Sequence, residues 1–119
     1  MVTKKEQKKK EKIEEKKRFK VWVDKVKENY NRQCAFCGKE KYLNAHHIIP
    51  RDVKGFRFME INGMALCPAH HKWGLKSAHK NPLWFFIKLE KYFPLKYKVL
   101  KKKYEDYLKY EENGKPRQL

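Results

Sequence analysis

Three short elements in the middle of the chain carry side chains that bind metals and move protons. They are Cys34-Ala-Phe-Cys37, then Ala45-His46-His47-Ile48-Ile49-Pro50, then Asn62-Gly-Met-Ala-Leu-Cys67-Pro-Ala-His70-His71. Thiolates and imidazoles are the ligands zinc prefers, and Cys34/Cys37 and Cys67/His70 repeat one two-residue spacing. Gly38 directly after the first pair allows the tight turn that such a knuckle makes. Pro68 suits the first turn of a helix, which would aim the preceding Cys67 and a first-turn His70 at the same ion. Four protein ligands leave no open position, so this zinc is expected to be structural, adding folding free energy to a small domain.

The remaining histidines point to a second centre. Adjacent residues on a strand face opposite ways, so His46 and His47 cannot do the same job there. On a helix, His70 and His71 diverge by about 100°. One of the pair His46/His47 therefore meets His71 in a cluster apart from the zinc. A divalent cation in such a cluster can stabilise charge developing on a phosphate, while an imidazole near its ordinary pKa accepts a proton from water. His79, in Ser77-Ala78-His79-Lys80-Asn81-Pro82, reads as a third metal ligand, a phosphate contact or a loop residue beside a helix cap. Asp52 and Glu60 could assist a metal, although surface carboxylates are the default.

The elements that must position these groups are short. Residues 3–31 are dense in helix formers and lack Gly and Pro, with Ile13, Phe19, Trp22, Val23 and Val26 at helical spacings only in the second half. This predicts a helix from about 12 to 30 with a frayed, basic beginning that lies along a polyanion. Tyr42 to Ile49 and Phe56 to Ile61 each suit a short strand. A short helix starts at Pro68 and stops at Gly74. Asn81-Pro82 caps another helix, Pro94 ends or kinks it, and a last one spans about 95–112, closing near Asn113-Gly114. Aromatics at helical spacing there are read as core.

Composition narrows the partners. A chain of 119 residues forms one domain with a modest core. Its 31 Lys and Arg against 14 Asp and Glu give a formal charge of +17, which suits nucleic acid through phosphate neutralisation. No apolar run spans a bilayer, so a membrane is the weaker partner. Three cysteines, all within the motif region, favour metal binding over disulfides. With no apolar segment behind its lysine-rich start, the chain is expected in a reducing cytoplasm.

Over roughly residues 34–82 the sequence resembles the HNH, or ββα-metal, nuclease superfamily in its zinc-stapled form. The resemblance implies an α+β fold: a small ββα-metal, treble-clef-like, zinc-bound core (32–82), a basic N-terminal helical arm (1–31), and C-terminal helices packing on the core (83–119). It implies that His46 and His71 hold a catalytic divalent cation such as Mg²⁺, Mn²⁺ or Ni²⁺. His47, immediately before the Ile, becomes the general base, and Asn62 the residue that orients the base or its loop. Most relatives supply a fourth cysteine to the zinc, where this chain has His70. The implied activity is DNA hydrolysis to 5′-phosphate and 3′-hydroxyl ends, with Arg51, Lys54, Arg57, Lys72, Lys76 and Lys80 as phosphate contacts. One site nicks one strand, and cutting both would take a homodimer or two successive events. Small size and lysine-rich ends resemble phage or mobile-element members. The rival readings are a non-catalytic zinc-finger DNA-binding or recombination-accessory protein and an RNA endonuclease.

Overall fold

The structure is a computed structural model that describes residues 1–114; the expected C-terminal segment continues to 119, and its last five residues lie outside the described residues. The chain runs α1 (Lys4–Asn29), β1 (Asn44–His47), β2 (Gly63–Leu66), α2 (Pro82–Tyr92) and α3 (Pro94–Gly114), with short turns between them. The arrangement is α+β, with a two-stranded antiparallel sheet between helices.

Helix α1 begins at Lys4, well before the expected start near residue 12. Thr3 supplies the reason: its hydroxyl accepts from the Glu6 N–H at 3.1 Å, and no helix breaker follows. The helix buries Trp22 and Val26 and ends where Asn31 and Arg32 adopt φ of 54°. The first strand falls inside its expected range, but the second does not. Residues 56–61 form no strand; the segment starts at the end of one 3₁₀ turn, Lys54–Phe56, and finishes in a second, Glu60–Asn62, with β2 following at Gly63. The buried Asn62 side chain draws this segment inward, donating to the Phe56 carbonyl at 3.1 Å and the Ile49 carbonyl at 3.0 Å. In the β1–β2 ladder His46 lies opposite Met64 and His47 opposite Gly63.

After β2, Ala69–Trp73 form one wide π turn instead of a regular helix from Pro68. The Gly74 N–H closes it on the Ala69 carbonyl at 2.8 Å. Helix α2 starts as expected, with Asn81 Oδ1 accepting from the Trp84 N–H at 3.1 Å. Pro94 then opens α3 directly, where its missing N–H costs nothing.

All four β2 residues are buried, because α1 covers one face of the sheet and α2 with α3 cover the other. The core comprises Ile48, Ile49, Phe56, Met64, Leu66, Phe85, Leu89 and Leu100, with Tyr104 and Tyr107 packed on Phe56. Phe85 belongs to this core, and Tyr104 and Tyr107 pack against it partly buried, as their spacing suggests, whereas Phe86 and Tyr92 are exposed. Lys96 ties α3 to the sheet, donating to the Ile61 carbonyl at 2.7 Å and the Gly63 carbonyl at 2.9 Å. Among the described residues, no helix is long and apolar enough to cross a membrane.

The approach of α1 to β2 is set by Gly63. A Cβ there would collide with Val26 Cγ2 and lie 2.9 Å from Trp22 Cζ2. Gly63→Ala is expected to destabilise the fold by about 2 kcal/mol, the usual scale for overpacking. Gly55→Ala, with nothing within 4 Å of the added methyl, serves as the matched control. Thermal melts of the two variants check this, and equal midpoints would mean the helix yields without cost.

Candidate metal centres and active site

The CxxC knuckle precedes β1 and is fastened at both ends. The Cys34 N–H donates to the Lys39 carbonyl at 2.8 Å, and the Ala35 N–H to Ala65 of β2 at 2.8 Å. Gly38 takes φ +77°, the left-handed conformation a side chain would strain. The knuckle thereby meets the residues that follow β2. Cys34, Cys37, Cys67 and His70 bring one ligand atom each to within 4.8 Å of one another.

The spacings within this cluster test whether zinc fits. Tetrahedral zinc with bonds of about 2.3 Å to sulfur and 2.0–2.1 Å to nitrogen sets S–S edges near 3.8 Å and S–N edges near 3.6 Å. The structure has Cys37 Sγ to Cys67 Sγ at 3.7 Å, Cys34 Sγ to His70 Nδ1 at 3.7 Å and Cys67 Sγ to His70 Nδ1 at 3.3 Å. Desolvation and the neighbouring Cys34 and Cys67 sulfurs push the Cys37 thiol up to about 11. A cation bound there must displace that proton. Burial, with Lys39 beside it, lowers the His70 pKa and favours the neutral, ligating imidazole. Trp84 stacks on His70, their ring centroids 5.9 Å apart.

A second cluster lies across the π turn. His46, His71 and His79 also bring one nitrogen each within 4.8 Å of the others. Adjacent side chains are divided between the clusters: His70 goes to the sulfurs and His71 to the imidazoles. His79 arrives because the following loop returns along the turn, its N–H donating to the His71 carbonyl at 3.0 Å and that of Ala78 to the His70 carbonyl at 2.8 Å. The Nε2 atoms of His71 and His79 are 3.0 Å apart, the edge expected between neighbouring ligands at about 2.1 Å in an octahedral site. Phe85 stands edge-on behind His46 at 5.1 Å. Burial, then His71, His79 and His47, pushes His46 down to about 3. Burial, then His79 and Lys72, pushes His71 down to about 4. Burial and Lys72 also lower His79. All three rings are therefore neutral at pH 7, with lone pairs available to an ion.

His47 points to the opposite face of β1, as strand geometry requires. Its Nε2 lies 3.0 Å from the Arg57 carbonyl. A carbonyl only accepts, so the neutral ring carries its hydrogen on Nε2 and keeps the Nδ1 lone pair free. Trp22 stacks on the ring at 4.1 Å with planes 10° apart, and Phe19 extends the stack. Trp22 is itself fixed, its indole N–H donating to the Met59 carbonyl at 2.7 Å. The sequence offered Trp22 only as one apolar position on α1; its partner comes from the tertiary fold. Burial, with Arg51 and Arg57 nearby, lowers the His47 pKa, against the opposing pull of the Arg57 carbonyl.

Asn62 makes no bond to the His47 ring. Its Oδ1 accepts from the Ile49 N–H at 2.6 Å, and its main-chain carbonyl accepts from Ile48 at 3.0 Å. It therefore clamps the two peptides after His47. Arg57 is less free than a phosphate contact should be, since its side chain donates to the Arg51 carbonyl at 3.0 Å and to Glu15 at 3.2 Å. The Arg51 guanidinium lies over the Phe19 ring at 4.9 Å. Lys54, Lys72, Lys76 and Lys80 are exposed. Asp52 and Glu60 join neither cluster, and Glu60 accepts from Asn29 instead.

Metal removal tests the sulfur cluster. The purified chain is expected to carry one tightly held zinc, seen by atomic absorption, and to lose its cooperative thermal transition on chelation or as Cys37→Ser. A metal-free chain with an unchanged transition would refute the assignment.

Comparison with known proteins bears on this middle segment. Neither a curated protein nor a solved structure gave a match to the chain. Residues 34–73 match a family model described as HNH endonuclease, and the Cys34/Cys37/Cys67/His70 cluster they contain fits the zinc-stapled type of that family.

Proposed function

We propose that the chain is a metal-dependent DNA endonuclease with His47 as general base. The observation that carries this reading is the convergence of His46, His71 and His79 on one face of β1, with the next residue, His47, held on the other face and its proton-accepting nitrogen free. A purely structural zinc module needs neither group. The HNH match and the charge of +17 favour nucleic acid as substrate.

His46 and His71, with His79 as third ligand, would hold the catalytic cation. A divalent ion there would neutralise charge developing on a scissile phosphate oxygen and on the leaving oxygen. Imidazole ligands favour softer ions such as Ni²⁺ over Mg²⁺, which prefers oxygen ligands. The protein's own part is positional. The Arg57 carbonyl and the Trp22 face hold the His47 ring, and Asn62 holds the peptides behind it. Nδ1 would accept the proton of a water that attacks phosphorus in line; the P–O3′ bond breaks and the leaving O3′ takes up a proton from solvent, leaving a 5′-phosphate and a 3′-hydroxyl. Arg51, Lys54, Lys72, Lys76 and Lys80 supply phosphate contacts, with Arg57 contributing mainly through its carbonyl. One such site nicks one strand, and a double-strand break takes two copies or two events.

The test is incubation of the zinc-loaded protein with supercoiled plasmid in Mg²⁺, Mn²⁺ or Ni²⁺. Open-circle or linear DNA is expected, with His47→Ala slower by about 10²–10⁴-fold. Retarded but uncut plasmid under every ion would indicate a binding protein, and cleavage of RNA alone would move the substrate class.

The pH dependence follows from the lowered His47 pKa. The base works only when neutral, so activity is lost as pH falls through its pKa, which lies below the ordinary 6.5 or so. The acidic limb of kcat/KM is therefore expected below about pH 6.5, with a flat profile at pH 7–8. A limb centred above pH 7 would assign the proton transfer to another group.

A further inference from the structure

Only the second half of α1 is used to build the site. Residues 4–18 are exposed, and the pair between Glu15 and Arg57 is the point nearest their start at which they bond to the body. Between Lys4 and Lys20 there are ten Lys and Arg and four Glu. A solvated helix of this composition would scatter its charges around the axis.

The charges are instead sorted by direction. At about 100° per residue, Phe19, Trp22, Val23, Val26 and Tyr30 fall in one sector about 100° wide, and that sector packs on the sheet and the aromatic core. Continued toward the N-terminus, the same sector holds Lys4, Lys5, Lys8, Lys12 and Glu15, and Glu15 is the residue paired with Arg57 of the body. Glu6, Glu11 and Glu14 lie outside it. Beyond the Glu15–Arg57 pair, the side of the helix that seals the body near His47 thus becomes a lysine face.

We propose that this face is a ledge for the backbone of duplex DNA flanking the scissile phosphate, outside the metal and base sites. From Phe19, beside His47, to Lys4 is 15 helical rises of about 1.5 Å, or ~22 Å. That matches six to seven base pairs at ~3.4 Å each. Lysines set against phosphates contribute affinity and orientation without sequence preference. The proposal rests on the endonuclease reading for the position of the scissile phosphate, and its test separates the two.

The experiment compares two double variants with identical charge change, both in a His47→Ala background that prevents cleavage. Lys8→Gln/Lys12→Gln alters the ledge, and Lys10→Gln/Lys17→Gln alters the opposite side of the same exposed helix. Binding to a labelled 30-base-pair duplex is followed by fluorescence anisotropy across a KCl series. Each lost phosphate contact lowers the slope of log affinity against log salt by about 0.9. The ledge variant is expected to lose about 1.8 from that slope and to bind several-fold more weakly at 0.1 M salt, while the rear variant matches the parent. Equal slopes in the two variants would overturn the proposal. So would a ledge-specific loss of binding to vesicles containing 30% phosphatidylserine with duplex binding unchanged, which would assign the face to a membrane. Because the readout is binding, ledge-specific slopes in a chain whose parent cuts no nucleic acid would leave the ledge standing and remove only the endonuclease reading.

Discussion

The Cys34–Cys37–Cys67–His70 cluster is the constraint on which the rest depends. Two paired strands of four residues are too short to persist in water unaided. The cluster joins the knuckle before β1 to the turn after β2, closing the segment that contains both. The Ala35–Ala65 hydrogen bond adds a second closure beside it. Every other group near the histidines is placed relative to this frame. His46 and His47 are fixed by β1, His71 by the turn that His70 anchors, and His79 by the loop returning along that turn.

One device appears twice in this frame: adjacent histidines are sent to different tasks. On β1 the alternation of a strand sends His46 toward His71 and His79 and His47 toward Trp22. On the π turn His70 goes to the thiols and His71 to the imidazoles. Three of these four rings are backed by an aromatic side chain: Trp22 stacked on His47, Trp84 stacked on His70 and Phe85 edge-on behind His46. Such packing removes rotamer freedom that two-bond side chains would otherwise keep. The Gly63 contact matters here, because only a glycine lets α1 come close enough for Trp22 to reach His47.

Much of this was legible in the residues themselves. The two-residue spacings point to the sulfur cluster, and strand alternation alone separates His46 from His47. The second strand was misplaced because its four residues are buried on both faces and show no alternation, while residues 56–61 mimic a strand but fold inward around Asn62. The early start of α1 hinged on one hydroxyl, that of Thr3. Neither the role of Trp22 nor the arrival of His79 has a local signal. Each depends on contact between segments that sequence order separates: residues 22 and 47 in one case, the return of the loop after Gly74 in the other.

The charge balance around the imidazole cluster gives the site its character. Among the described residues, neither metal cluster includes a carboxylate, and the titratable groups that act on the His46 and His71 rings are other histidines and Lys72. Burial, and after it the crowding of imidazoles and Lys72, penalises protonation, which keeps the nitrogens open at neutral pH. On the proposed reading, neutral ligands would leave a divalent ion its full charge, whereas a carboxylate would cancel part of it. That favours stabilisation of an anionic transition state at the expense of resting affinity for the ion. The compensating negative charge then comes from the substrate phosphates. A protein of charge +17 can draw these in from a distance, and they are the groups on which the chemistry would act.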